Sequence, residues 1–192
     1  MIRLRRPDDQ AMERFRRAYA DAPPAYEPVG STRAERPPEG FHANRGAAAI
    51  GHGADDFARA VAALRAWAMY DLPWTHLHPP AAPVREGEVT VVRARHFGLW
   101  SLNATRIVYV DESETELAFA LGTLPGHVER GEERFAVSLE ADGTVRFSLR
   151  AYARPHHLLS RLAAPLTRRT LAAFAREAPR AVRHAVARRS AG

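Results

Sequence analysis

Gly122 to Phe135 reads GTLPGHVERGEERF. Before it, Leu117, Phe119 and Leu121 recur at every second position, and after it Phe135, Val137 and Leu139 do the same. Period two with one apolar set marks a strand with one buried face, so two strands flank the stretch. Between them Pro125-Gly126 suits a type II turn: proline presets φ at the first central position and glycine accepts positive φ at the second. A loop is expected to carry His127, Glu129, Glu132 and Glu133, one imidazole close in sequence to three carboxylates.

The pattern continues on both sides. Downstream, Ala141-Asp142-Gly143 predicts a tight hairpin of type I′. Val145, Phe147, Leu149 and Ala151 then form one face of a last strand, ended by Pro155. Upstream, Val89 and Val91 start a strand running towards His96, and Arg106, Val108 and Val110 oppose Ile107 and Tyr109 in the next. Before these, Phe57, Val61, Leu64 and Ala68 share one face of a helix expected over 55–70, which ends ahead of Pro73. Gly51-His52-Gly53 enters that helix, but Asp56 occupies the position where a dinucleotide fingerprint needs its third glycine. An acid there repels phosphate, so Asp55 and Asp56 are read as helix caps. Phe41 to Ile50 reads as a strand, 21–40 as irregular proline-rich chain, and 8–20 as a short helix capped by Asp8 or Asp9, with Met12, Phe15 and Tyr19 on one face. The C-terminal stretch 156–188 is helical, with Pro165 and Pro179 as possible kinks. Its apolar stripe is Leu171, Phe174, Ala178, Val182 and Ala185.

Composition excludes several chemistries. The 192 residues, 46% hydrophobic, suffice for one core, so a single domain over 1–192 is expected: 1–40 helix and irregular chain, 41–154 strand, helix and meander, 155–192 helix and basic tail. Without cysteine there is no disulfide, thiolate metal site or cysteine nucleophile. All 28 basic residues are arginine, so Schiff-base and Walker A lysine chemistry are absent too. No apolar run approaches the ~20 residues of a transmembrane helix, and the N-terminus lacks the apolar core of a secretory signal, so a cytoplasmic location is expected. His76 and His78 alternate, but nothing marks further ligands; neither a metal nor a cofactor is expected.

The order strand, helix, antiparallel meander, long C-terminal helix is that of an α+β domain whose sheet wraps on its last helix. It resembles the helix-grip fold of the START-like superfamily. At the level of residues the chain is similar to an uncharacterised family, the domain-of-unknown-function family nineteen-ninety. The matching pieces are Ala25-Tyr26 with Val29-Gly30-Ser31-Thr32, Ile50-Gly51-His52-Gly53, Ala63-Leu64-Arg65-Ala66-Trp67, Leu72-Pro73-Trp74, Gly122-Thr123-Leu124-Pro125-Gly126-His127, Gly131-Glu132-Glu133 with Phe135, and Arg154-Pro155. Leu121 stands where that pattern carries a tyrosine.

Three functions remain open. The resemblance implies a cavity between sheet and helix that takes a small apolar molecule or lipid, with Trp67, Trp74, Trp100, Tyr109, Phe119 and Phe147 as candidate lining; each is equally suited to filling a core. Alternatively His127 acts as acid or base, oriented by Glu132 or Glu133, because imidazole titrates near neutrality. Third, Arg168, Arg169, Arg176, Arg180 and Arg183 form an arginine face on the last helix that suits nucleic acid or an anionic membrane, or simply faces solvent.

Overall fold

The computed structural model describes residues 2–127, 129–155 and 164–190. Its centre is one antiparallel sheet. The strands are β1 (Ile2–Arg3), β2 (His42–His52), β3 (Thr75–His78), β4 (Val89–His96), β5 (Leu99–Glu112), β6 (Glu116–Thr123), β7 (Glu129–Leu139) and β8 (Thr144–Pro155). They lie in the order β2-β8-β7-β6-β5-β4-β3, and β1 adds to β5. Among the described residues three α-helices accompany them: α1 (Asp9–Ala18), α2 (Gly53–Arg65) and α3 (Ala164–Ser190).

Alternation gives this sheet two buried faces. On the inner face Leu117, Phe119, Phe135, Val137, Val145 and Phe147 meet α2 and the Phe174, Ala178, Val182 and Ala185 stripe of α3. On the outer face Val89, Val91, Leu102 and Ala104 meet Met12 and Phe15 of α1. Asp8 caps α1 by accepting from the Ala11 amide at 2.8 Å. The α2 N-terminus is closed by Asp56, which reaches back to the His52 amide at 2.8 Å, as its acid character predicts. Pro179 lies within α3. The expected helical start over 156–163 lies outside the described residues.

Several local expectations are corrected. The helix foreseen over 55–70 stops at Arg65; Trp67 takes left-handed φ of 59°, and a separate 3-10 turn covers Ala68–Tyr70. The break turns Trp67 inwards, where its indole N–H donates to Ala82 O at 2.7 Å and its ring meets Phe119 edge-on at 5.1 Å. Glu129, Glu132 and Glu133 belong to strand β7, not to a loop; the connection is only the turn around Pro125-Gly126, where Gly126 has φ 92° and His127 N–H donates to Leu124 O. The Asp142-Gly143 turn is not type I′, since Gly143 alone has positive φ there. Both positive φ values fall instead on Phe97 (50°) and Gly98 (82°), in a two-residue hairpin joining β4 to β5. A bulge in β5 between Ile107 and Tyr109 resets its alternation.

Candidate functional site

Strand β7 carries the chemistry on both its faces. Glu132 points outward, its neighbour Glu133 inward, because successive side chains on a strand alternate. Glu132 is 2% exposed and surrounded by donors from the irregular N-terminal chain. The amides of Gly30 and Thr32 donate to it at 2.7 and 2.8 Å. The hydroxyls of Tyr26 and Thr32 make two further short hydrogen bonds to the same carboxylate. Thr32 Oγ1 also lies 2.8 Å from the Tyr109 hydroxyl, and the Arg33 guanidinium stacks 3.7 Å above the Tyr109 ring. Burial and the adjacent carboxylate push the Tyr26 hydroxyl far up, so it remains a donor. Gly122 makes room: a Cβ there would stand 2.7 Å from both the Tyr26 hydroxyl and Val108 Cγ1. This cluster is a satisfied buried carboxylate that fastens residues 25–33 to the outer face.

Glu133 is the opposite case. In the ladders it lies beside Leu121 of β6 and Ala151 of β8, with Phe135 two positions on. Its Oε1 is buried and has no hydrogen-bond partner among the described residues. Burial, then the charge of Glu129, raises the Glu133 carboxyl to about 8. Glu129, on the same face, rises to about 7 through burial. Tyr70, on the 3-10 turn after α2, is pushed well up by burial and by Glu133. The register puts Thr90, Thr105 and Thr123 on this face as well; Thr90 and Thr105 share a 3.1 Å hydroxyl contact and Thr123 Oγ1 accepts from Gly131 N–H at 2.9 Å. Asn103, one pleat further along β5, is a second case of a buried oxygen, Oδ1, without a partner. The inner face therefore has an apolar half under α2 and a polar half holding two raised carboxyls and two unpartnered oxygens.

The candidates from sequence separate accordingly. Trp67, Phe119 and Phe147 sit in the apolar half, where Phe119 and Phe147 each lie within 6.4 Å of the Phe135 ring and all three are at most 3% exposed. Trp74 stands at the border, its indole N–H on Glu177 at 2.7 Å and its ring 5.8 Å from His96. Trp100 and Tyr109 do not line the inner space. Trp100 shares the outer face with Leu102 and Ala104, and the β5 bulge turns Tyr109 outward to Thr32. His127 and Glu132 are not brought together: His127 Nδ1 lies 3.0 Å from the Glu129 amide nitrogen and 2.9 Å from its carbonyl oxygen, while Glu132 is held by Tyr26, Gly30 and Thr32. Arg169, Arg176, Arg180 and Arg183 are exposed on α3, and the last three line a groove of about 550 Å³ against Arg45 and Gly46 of β2. The side chain of Arg168 lies outside the described residues. His76 and His78 face α1, at 3.4 Å from Asp9 and 3.1 Å from Glu13, and no cluster of three metal-ligating side chains occurs among the described residues. Sequence reasoning missed Tyr70 and Asn103 altogether. The inward direction of Glu133 was available from the period of Phe135, Val137 and Leu139 carried one step back.

A family model described as "Domain of unknown function (DUF1990)" matches residues 25–181. The chain belongs to this DUF1990 family. The match opens at Ala25-Tyr26, so it includes both halves of the Glu132 cluster. DUF1990 relatives include a "UPF0548 protein" of Deinococcus radiodurans, 33% identical over 86% of this chain and 89% of the relative. A "UPF0548 protein" of Dictyostelium discoideum is 33% identical over 62% of this chain, and the match spans 61% of that relative's length. Among solved structures, TTHA0849 from Thermus thermophilus superposes with a TM-score of 0.57 at 18% identity, covering 78% of this chain and 99% of that one. The di-domain aromatase/cyclase StfQ of the steffimycin pathway superposes at 0.51 and 11% identity, over 79% of this chain and 52% of that one. These likenesses are of fold: the DUF1990 chain has the helix-grip arrangement, an antiparallel sheet packed on a long C-terminal helix.

Proposed function

We propose that this protein binds a small, largely apolar molecule between the polar half of the inner face and α3, and meets its polar group with Glu133. One observation carries this: the Glu133 carboxyl lies on the inner face of β7, beside Leu121 and Ala151, with Oε1 buried and unpartnered. A buried polar atom left unpaired costs about 1–3 kcal/mol, which a ligand oxygen or nitrogen at this point would recover. Pockets for small molecules combine such apolar walls with few polar groups, here Glu129, Glu133, Asn103 and Tyr70. The aromatic cluster of Trp67, Phe119, Phe135 and Phe147 then forms the floor of the site and not its lining. That StfQ is an aromatase/cyclase is compatible with a ligand held in this kind of fold.

Native mass spectrometry of gently purified protein tests the binding. A mass in excess of the polypeptide is expected for the parent, and its loss for Glu133→Leu with folding retained. Absence of any excess mass, together with no uptake of a neutral solvatochromic dye, refutes it. A second reading makes Glu133 a proton donor to the bound molecule, since a carboxyl near 8 is protonated at neutral pH. It replaces the expectation centred on His127.

A further inference from the structure

The β4–β5 hairpin places an exposed phenylalanine where the backbone does not favour one. Phe97 has φ 50° and is 66% exposed. Positive φ is an outlier for a bulky residue; asparagine or glycine suits a type I′ turn better. Around it lie three of the four other large apolar side chains that are exposed among the described residues: Ile2 (63%), Leu4 (84%) and Leu99 (38%). Strand pairing assembles them. Ile2 lies opposite Ser101 and Arg3 opposite Trp100, a register that, continued, brings Leu4 level with Leu99. Arginines surround this apolar tip. Arg6 and Arg95 lie 5.9 and 5.7 Å from the Trp100 ring centre, and Arg3 and Arg5 are exposed on the same strand end, on the strand face opposite Ile2 and Leu99; Arg93, 5.8 Å from that ring, is buried, donates to Pro7 O and supports the cluster from within. Residues 2–6 and 93–100 contain no carboxylate. The nearest acids in sequence are engaged: Asp8 caps α1, and Asp9 faces Arg93 at 3.7 Å and His76 at 3.4 Å.

We propose that this tip is a docking surface for an anionic lipid bilayer, with Phe97, Leu4, Leu99 and Ile2 inserted and the arginines on the headgroups. Apolar side chains joined to a basic cluster bind a membrane surface through both terms together. Charge complementarity excludes a second copy, because a symmetric contact would set arginines against arginines. Of the four exposed apolar side chains only Phe97 is aromatic, and one ring gives no platform for successive bases, which disfavours single-stranded nucleic acid. The surface is separate from the arginine face of α3. No helix among the described residues is long and apolar enough to cross a membrane, so the contact is peripheral.

The full chain is pelleted with vesicles of phosphatidylcholine alone and of equal parts phosphatidylcholine and phosphatidylglycerol. Binding to the mixed vesicles only is expected. Phe97→Asn with Leu4→Ser weakens it about tenfold, and Arg5→Gln about fivefold. Asparagine tolerates positive φ and Leu4 is the most exposed of the set, so thermal melts stay level or rise, which separates docking from folding. The triple change Arg176→Gln, Arg180→Gln, Arg183→Gln on α3 leaves binding intact. The proposal is overturned if the parent ignores both vesicle types, if Phe97→Asn with Leu4→Ser binds like the parent, or if only the α3 triple loses binding. A dimer abolished by Phe97→Asn, or RNA binding lost by the same change, overturns it in favour of those partners.

Discussion

Glu132 and Glu133 are adjacent in sequence and opposite in surroundings. Glu132 receives two amides and two hydroxyls, and hydrogen bonds of this kind satisfy the acceptors of a buried carboxylate. Tyr26→Phe removes one donor and should cost about 1.5–3 kcal/mol, read by chemical denaturation. The Gly30 and Thr32 amides should then exchange hydrogen faster, while those of β6 stay protected. Glu133 behaves in the reverse way. Its folded value of about 8 lies above the 4.5 of a free glutamate, so the folded state holds the extra proton between the two. Stability from this group is full below about 4.5 and is lost as pH rises through 8. Melting temperature of the parent should therefore fall between about pH 5 and pH 8, with Glu129 adding to the lower part of that range through its value of about 7. Glu133→Gln should flatten this slope and melt above the parent at the alkaline end. An unchanged slope means that Glu133 is ionised in the fold.

The hairpin and the last helix show what single elements contribute. Phe97 occupies a left-handed position that costs roughly 1–2 kcal/mol for an ordinary side chain. Phe97→Asn should recover part of this, about 0.5–1 kcal/mol, seen as a raised melting temperature. A phenylalanine that is both strained and exposed, and so contributes little to folding, is what motivates the docking role proposed for the hairpin. On α3, Phe174 holds the helix to the sheet: its ring stacks on Tyr70 at 5.3 Å and stands edge-on to Phe135 at 6.2 Å and Trp74 at 6.2 Å. Phe174→Ala should cost about 3–5 kcal/mol and speed exchange in the N-terminal half of α3 before the sheet. Equal acceleration in sheet and helix would show that α3 does not open separately.

Taken together, the sheet works on both faces. Its outer face is closed by α1 and by the N-terminal chain clamped on Glu132; its inner face is filled at one end and chemically unsatisfied at the other. In the proposed function the outer face is closed and the inner one holds the ligand. If so, loosening the clamp and removing the inner carboxyl act independently. Tyr26→Phe should lower stability while retaining the copurifying mass, and Glu133→Leu should lose that mass while keeping or raising stability. Additivity of the two stability effects, within a few tenths of a kcal/mol, checks that the faces are uncoupled.

Period two from Leu117 to Leu121 and from Phe135 to Leu139 was enough to place the central strands, because each buries one face of a sheet. The helix-grip order and the type II turn at Pro125-Gly126 were legible for the same local reason, as was the cap at Asp56, which lies four residues from the amide that it serves. Tertiary structure alone decided the rest. Tyr26, Gly30 and Thr32 stood in the same motif set as Glu132, yet some hundred residues separate them, and no local signal pairs a distant hydroxyl with a given carboxylate. The bulge at Ile107 to Tyr109 turned Tyr109 outward because one extra residue inverts every side chain beyond it. Trp67 left its helix at a left-handed position, from which its indole reaches Ala82 O and Phe119, partners its own sequence does not name. The unpartnered state of Glu133 depends on Leu121, Ala151 and Phe135 closing around it, and that is a property of three paired strands, which no one of them carries in its own sequence.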